Sequence, residues 1–162
     1  MEVAARPVDR DDLGRVVELI GEAVGELRSE RGGELFAARE ARTDVSVDGL
    51  AAWLDRSSAA AFVGTIDDVV MGVATVHVDE LRDTRRLAVV EELYVEAGAR
   101  GVGVGEAMID AVVAWAEERG CVGIDAMVLP GNRESKNFFE TFGLTARAIV
   151  VHRALDRPEA GE

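Results

Sequence analysis

The sequence runs Arg100-Gly101-Val102-Gly103-Val104-Gly105 between an apolar segment, residues 87–95, and a helical pattern that begins near Val104. This order predicts a strand, a tight turn and a helix. Because glycine has no β-carbon, such a turn can bring several backbone N–H groups close to a phosphate, and the helix N-terminus adds roughly half a positive charge. The stretch therefore predicts a site for a phosphorylated ligand, although the same glycines also suit an ordinary tight turn.

The spacing of the glycines narrows the choice of ligand. A dinucleotide-binding turn reads G-x-G-x-x-G, whereas the glycines here stand at positions 101, 103 and 105. A nucleoside-triphosphate loop needs G-x-x-x-x-G-K-[ST], but Glu106 and Ala107 follow the last glycine. The spacing excludes the triphosphate loop and leaves a dinucleotide site as the weaker alternative.

Two segments resemble motifs of the GNAT superfamily of acyl-CoA-dependent N-acyltransferases. The first is Arg-x-x-Gly-x-Gly after a strand that ends Glu91-Glu92-Leu93-Tyr94-Val95, which is similar to the pyrophosphate-binding motif of that family. The second is residues 132–144, in which Asn132, Ser135 and the final pair Gly143-Leu144 match the family pattern. Phe139 stands where the family often has a tyrosine. In the resembling enzymes that tyrosine hydroxyl faces the departing CoA thiolate, and phenylalanine has no hydroxyl to donate.

The resemblance implies the GNAT fold, an α/β (α+β) domain whose central sheet is mixed and mostly antiparallel. Helices would flank this sheet, and its strands would splay apart at the acetyl-CoA site. The likeness extends along nearly the whole chain and is most specific over residues 87–144. We expect a single domain over residues 1–155, and a flexible tail at 156–162 because that stretch carries proline, glycine and acidic residues.

Composition restricts the environment and the partners. The 162 residues suit one core, and neither a bilayer-length apolar stretch nor a signal-peptide pattern occurs, so a soluble cytoplasmic protein is expected. The formal net charge of -13 would repel nucleic acids and anionic membranes. It is compatible with a cationic amine acceptor, although charge also serves solubility. With two histidines, one cysteine and no ligand spacing, no metal site is predicted.

The apolar periodicity predicts alternating helices and strands. Asp9 to Asp12 should begin a helix running to about residue 31, and Asp48 should cap a second, short helix after a mobile loop at 32–47. The other predicted elements are strands 3–8, 59–66, 69–78, 86–95, 122–129 and 144–153, a helix that begins at Val104 and a short helix from Asn132 to Gly143. The apolar last strand makes a homodimer plausible.

The chemistry requires removal of a proton, because an alkyl amine is deprotonated in only about one molecule in 2,500 at pH 7. Glu92 is our candidate general base. Strict alternation would place Glu92 and Tyr94 on one side of the strand, with Tyr94 beside the acceptor, and Glu91 and Leu93 on the other. His77 and His152 are alternative bases. Three alternatives replace the missing tyrosine: a water molecule, the Ser135 hydroxyl, or a reaction that needs no acid.

The resemblance also implies the contacts with acetyl-CoA. Backbone groups near Leu93 and Val95 would bind the developing oxyanion, and Asn132 would face the pantetheine arm, with Ser135 and Phe139 close by. The pyrophosphate would be held by Arg100, Gly101, Val102, Gly103, Val104 and Gly105. Arg100, with Arg133, Lys136 and Arg147, should make this end locally basic despite the acidic composition.

Two classes of function follow. The first is an N-acetyltransferase that moves an acetyl group from acetyl-CoA to a primary amine, on a small molecule or a peptide, by direct attack in a ternary complex. The second is a non-catalytic acyl-CoA-binding or regulatory module, which Phe139 favours. A dinucleotide-dependent enzyme is a third, weaker alternative because the glycine spacing is wrong for it.

Overall fold

The computed structural model describes residues 1–155, so the predicted flexible tail at 156–162 lies outside the described residues. The chain begins with strand β1 (Val3–Pro7), a 3₁₀ turn (Arg10–Asp12) and helices α1 (Leu13–Arg28), α2 (Gly33–Arg39) and α3 (Val47–Leu54). Strands β2 (Ala59–Ile66), β3 (Val69–Glu80) and β4 (Arg86–Val95) follow. A 3₁₀ turn (Ala97–Ala99), α4 (Val104–Glu118), β5 (Ile124–Ala126) and α5 (Arg133–Thr141) complete the elements.

The five strands form one sheet in the order β1-β2-β3-β4-β5. The first four pair antiparallel, and β5 pairs parallel with β4 at Ala88 to Val90 only. Asp67 and Asp68 join β2 to β3, both with positive φ (47° and 65°), which is the backbone of a tight hairpin turn. The predicted mixed, mostly antiparallel sheet is confirmed.

Helices cover both faces of the sheet. On one face α4 packs Met108, Ile109 and Val112 against Ala74 and Val76 of β3. On the other face α1 packs Leu19 and Ile20 against Val63 and Val73. The first of these helices lies very close to the strands, because a β-carbon added at Gly64 would be 2.5 Å from Val104 Cγ1. These contacts fix α4, and with it the glycine turn that precedes it.

Two predictions about the segment between α1 and β2 are wrong. The stretch at 32–47 contains helix α2, because Gly32 takes a left-handed φ of 80° that restarts the chain as a helix. Ser46, not Asp48, caps α3, since its Oγ accepts a hydrogen bond from the backbone N–H of Gly49 at 3.0 Å. Asp48 lies inside the first turn of α3.

The strands predicted near the C-terminus also differ. The predicted strand at 122–129 shortens to Ile124–Ala126, since the chain turns away from β4 after that point. The predicted last strand, 144–153, is absent: residues 145–155 are not paired with β5, and Ile149, Val150 and Val151 are between 82% and 90% exposed. β-branched residues form a strand only where they can pair with the edge of a sheet. β5 is three residues long, which is too short an edge for a ten-residue strand.

Candidate functional site

A cavity of about 510 Å³ opens where β4 and β5 separate. Beyond Val90 and Ala126 the two strands diverge, so residues 92–95 of β4 pair with β3 on one side and face the cavity on the other. Most predicted site residues line this cavity: Glu92, Leu93, Tyr94, Val95, Arg100, Gly101, Gly103, Val104, Gly105, Asn132, Ser135 and Phe139. Val102 does not line it, and this residue is 40% exposed at the turn.

The glycine turn forms one end of the cavity. Gly101 and Gly103 have φ of 82° and 99°, a conformation that other residues rarely adopt. Gly103 is the N-cap of α4 and provides no side chain to bond the first amides of that helix. Within residues 1–155, the backbone amides at 101–106 have no hydrogen-bond acceptor. A concave row of unpaired N–H groups at a helix N-terminus fits a pyrophosphate.

Arg100 lies at this end, but a carboxylate already engages it. Its guanidinium donates to both oxygens of Glu26 on α1, at 3.1 and 2.9 Å, and to the carbonyl of Val95 at 2.9 Å. Lys136 pairs with Glu140, and Arg147 pairs with Asp125 of β5. Glu106 and Glu134 also line the cavity. The prediction that this end is locally basic is therefore wrong, because neighbouring carboxylates offset most of its cations.

Glu92 lies deep in the middle of the cavity. Its Oε1 accepts hydrogen bonds from Arg42 Nε (3.0 Å), Arg42 Nη2 (2.8 Å) and the Thr75 hydroxyl (2.8 Å). Burial raises the pKa of the Glu92 carboxyl, while Arg42 and Thr75 act against that rise. All three bonds converge on Oε1, and Oε2 accepts none from residues 1–155. The carboxyl group is thus held firmly at one oxygen, which leaves the other for a substrate.

A β-bulge changes which side chains share the cavity with Glu92. Thr75 pairs with Glu92 and Val76 pairs with Val90, so Glu91 is the extra residue of the bulge. Val90 and Leu93 both pack toward α4, and Glu91 and Glu92 lie between them and project from the opposite face. Glu92 and Tyr94 share a face as predicted. The prediction that Glu91 faces the other side is wrong, because the bulge interrupts the alternation.

Tyr94 packs against α1 and reaches the cavity with its hydroxyl. That hydroxyl donates to Glu26 Oε1 at 3.0 Å, and the Arg100 guanidinium carbon lies 5.3 Å from the ring centre. Burial and the bond to Glu26 raise the pKa of Tyr94 to about 12. Tyr94 therefore keeps its proton at neutral pH and donates it in the hydrogen bond to Glu26.

Asn132, Ser135 and Phe139 come from the start of α5. The Asn132 side chain caps this helix, since its Oδ1 accepts from the Ser135 backbone N–H at 3.0 Å. Its amide nitrogen donates to Glu30 Oε1 at 3.3 Å, and Glu30 Oε2 is buried with no hydrogen-bond partner among residues 1–155. A buried oxygen without a donor fits an arriving N–H group, such as an amide of the pantetheine arm. Phe139 is buried and presents no polar atom.

Sequence reasoning missed several residues of the site, among them Glu26, Glu30, Arg42 and Thr75. Arg42 lies in the segment predicted to be a mobile loop, yet its side chain is only 10% exposed and stacks on Trp53 at 4.3 Å. Its partner Glu92 is 50 positions away in sequence. Of the two histidines, His77 contacts Glu91, and His152 is exposed outside the cavity.

No helix within residues 1–155 is both long enough and apolar enough to cross a membrane. No group of three or more histidine, cysteine, aspartate or glutamate side chains in the same range is arranged to hold a metal ion. The cytoplasmic location stays a prediction.

The sequence and the structure were compared with known protein families, curated proteins and solved structures. The sequence model of the acetyltransferase (GNAT) family matches residues 21–144. No curated protein matches significantly.

Solved structures share the fold at low sequence identity. An acetyltransferase of Trypanosoma brucei is 20% identical, with a TM-score of 0.69 over 95% of this chain and 100% of that one. An aminoglycoside acetyltransferase from an uncultured soil metagenomic sample, in complex with sisomicin, is 20% identical, with a TM-score of 0.70 over 96% and 97%. AAC(6')-Iy, in complex with the bisubstrate analogue CoA-S-monomethyl-acetylneamine, is 19% identical, with a TM-score of 0.73 over 97% and 100%.

Proposed function

Since the chain belongs to the acetyltransferase (GNAT) family, we propose that it transfers an acetyl group from acetyl-CoA to a primary amine by direct attack in a ternary complex. One observation carries the proposal. The unpaired amides of the glycine turn open into the same cavity that holds the buried carboxyl group of Glu92. A phosphate-binding end and a proton-accepting group thus share one cavity of about 510 Å³.

Acetyl-CoA would supply the thioester whose carbonyl carbon the amine attacks. The amides of residues 101–105 would hold its pyrophosphate, and Val102 would contribute through its backbone only. Asn132 and Glu30 would face the pantetheine arm. The free edge of β4 at Leu93 to Val95 would offer a backbone N–H to the oxyanion, since β5 has separated from β4 there.

Glu92 is the proposed general base. Burial raises the pKa of Glu92, and a carboxyl group whose pKa lies nearer to neutral accepts a proton more effectively than an exposed one. Arg42 and Thr75 fix its orientation through Oε1. As the nitrogen–carbon bond forms and the carbon–sulfur bond breaks, Glu92 takes the nitrogen proton and CoA leaves as a thiolate. Ser135 lines the cavity, and its hydroxyl is the proposed hydrogen-bond donor to that sulfur.

The acceptor is proposed to be a cationic amine. Glu91 and Glu92 line the cavity, and carboxylates attract an ammonium group. Tyr94 also lines the cavity, with its hydroxyl bonded to Glu26 beside Arg100. An amine acceptor is also supported by the fold that this chain shares with the aminoglycoside acetyltransferase in complex with sisomicin.

A non-catalytic acyl-CoA-binding module is the second candidate function, and Phe139 favours it. A phenylalanine leaves the sulfur without the hydroxyl that the family often provides. Such a module would bind acetyl-CoA at the glycine turn and release no free thiol.

Two copies of the chain are proposed to associate through residues 144–155. Ile149, Val150 and Val151 are exposed there, and Arg147 of the same segment pairs with Asp125 of β5, which is the last strand of the sheet. Apart from Arg147, this segment contains Arg153 and no acidic residue, while the whole chain has a net charge of -13. A basic, apolar segment is complementary to an acidic second copy. Light scattering should give twice the mass of one chain for the parent protein. The Val150→Asp variant should give the mass of a single chain. A monomeric parent protein would refute the association.

Calorimetric titration with acetyl-CoA tests the central proposal. We expect micromolar binding by the parent protein and a loss of at least about tenfold in Gly103→Glu, because a carboxylate would strain the turn and repel the pyrophosphate. Gly98→Ala is the matched control, since Gly98 has no positive φ and open space around it. Absence of binding would refute both candidate functions. Binding without thiol release across a panel of amines would favour the non-catalytic module.

A further inference from the structure

We propose that Glu91, His77 and Asp79 form a proton path that deprotonates the incoming ammonium group and delivers the proton to solvent. The inference rests on the proposed acetyl transfer and adds three residues to it. Glu91 would receive the proton in the cavity, His77 would pass it across the imidazole ring, and Asp79 would release it at the surface.

The three side chains are within contact distance of one another. Glu91 Oε1 lies 2.8 Å from His77 Nδ1, and His77 Nε2 forms a hydrogen bond of 3.0 Å with Asp79 Oδ1. Each ring nitrogen therefore faces a carboxylate oxygen. Imidazole is the side chain that can accept a proton at one nitrogen and release another from the second nitrogen near neutral pH.

The row lies on the cavity side of the sheet. Val76 and Val78 of β3 pack toward α4, so His77 between them projects from the opposite face. Val90 of β4 also packs toward α4, so the next residue, Glu91, projects from the same face as His77. The bulge then brings Glu92 to that face as well, which places both carboxylates beside the cavity.

The row also connects the interior with the solvent. Glu91 lines the main cavity and a smaller adjoining one of about 320 Å³. The side chains are 29% exposed at Glu91, 18% at His77 and 57% at Asp79, so His77 is the most buried member of the row and Asp79 the most exposed. One end thus meets the space where an amine would bind, and the other meets water.

The chemistry requires such a path because an alkyl amine arrives as an ammonium ion. Two protons must leave its nitrogen before an amide can form, one before the attack and one during it. Glu92 accounts for the second. For the first, Glu91 takes the ammonium proton, and Nδ1 of the Nε2-protonated imidazole accepts it from Glu91. The imidazolium then gives its Nε2 proton to Asp79 and water, and a ring tautomer change restores the path.

The test compares two acceptors of similar shape, ethylamine and trifluoroethylamine. Ethylamine is protonated at neutral pH, whereas trifluoroethylamine is mostly neutral there and needs no proton removed before it attacks. His77→Gln keeps a hydrogen-bonding group but cannot relay a proton. We expect kcat/KM for ethylamine to fall by about 10²-fold in this variant, with kcat/KM for trifluoroethylamine and the affinity for acetyl-CoA unchanged.

Asp79→Asn should give the same selective loss, smaller in size because water can replace this surface group. Asp83→Asn is its matched control, on the exposed turn between β3 and β4, and should affect neither amine. Equal losses for both amines in His77→Gln, or no loss for either, would refute the proton path and leave the acetyltransferase proposal standing. A parent protein that binds acetyl-CoA but acetylates neither amine would refute both catalytic proposals. Failure to bind acetyl-CoA would refute the cosubstrate as well.

Discussion

Arg42→Met should strongly destabilise the fold, because it leaves a buried carboxylate without its cation. Arg42 and Glu92 are 10% and 11% exposed in their side chains, and two of the three bonds to Glu92 Oε1 come from Arg42. Removing one partner of a buried pair costs about 3–5 kcal/mol, and the lost stacking on Trp53 adds roughly 0.5–1 kcal/mol. For a chain of 162 residues this corresponds to a fall in Tm of roughly 10 °C.

The loss of stability in Arg42→Met should grow as the pH rises. Burial raises the pKa of Glu92 in the folded protein, and removal of Arg42 takes away a group that lowers it. When the pKa of a carboxyl group is higher in the folded than in the unfolded protein, the folded protein loses stability as the pH rises from the unfolded-state pKa through the folded-state pKa. The variant should therefore lie closest to the parent protein in acid, where Glu92 is neutral in both states, and farthest from it in mild alkali.

Urea unfolding followed by circular dichroism measures both effects. Arg85→Met is the matched control, since Arg85 and Asp83 form an exposed pair that water and salt screen, so its loss should leave the stability nearly unchanged. The double variant Arg42→Met with Glu92→Gln should recover most of the lost stability, because no charge then remains buried. A loss below about 1 kcal/mol in mild alkali, or a loss that grows as the pH falls, would refute this account of the pair.

Three further changes test the site and its support. Glu92→Gln should lower kcat by about 10²-fold with an unchanged calorimetric affinity for acetyl-CoA; an unaltered rate would remove Glu92 as the base. Gly64→Ala should destabilise by about 1–3 kcal/mol in urea, because its β-carbon would collide with Val104 Cγ1 at 2.5 Å, whereas Gly21→Ala in open space on α1 should not. Phe139→Tyr should leave kcat for ethylamine nearly unchanged in a thiol-release assay; a rise of about tenfold would show that departure of the thiolate limits the rate.

Much of the fold could be predicted because its signals are local. The positive φ at Gly101 and Gly103 is a property of glycine itself, and the turn that joins Ile66 to Val69 needs only two short polar residues. Helix α4 repeats its apolar positions without interruption, so both its start and its buried face follow from sequence. These elements also fix where the cavity opens, which is why most of the predicted lining residues were found.

The contents of the site could be predicted less well because they depend on distant partners. Arg42 reaches Glu92 across 50 positions, and no periodic pattern marks that contact. The bulge at Glu91 shifts the register between β3 and β4, and the amino acids on either side look like those of a regular strand. The apolar run at 149–151 has the composition of a strand, but a strand needs an edge to pair with, which composition does not provide.

The proton transfers of the proposed reaction explain why a phenylalanine can stand at position 139. A thiolate whose conjugate acid has a pKa of about 8.5 leaves readily without help, whereas an alkyl ammonium with a pKa of about 10.4 must lose a proton before it can react at all. The larger demand for proton transfer therefore falls on the amine. The chain places two carboxylates on the amine side of the cavity, Glu91 and Glu92, and a buried aromatic ring at position 139. Such a distribution suits an enzyme limited by deprotonation of its acceptor rather than by release of CoA.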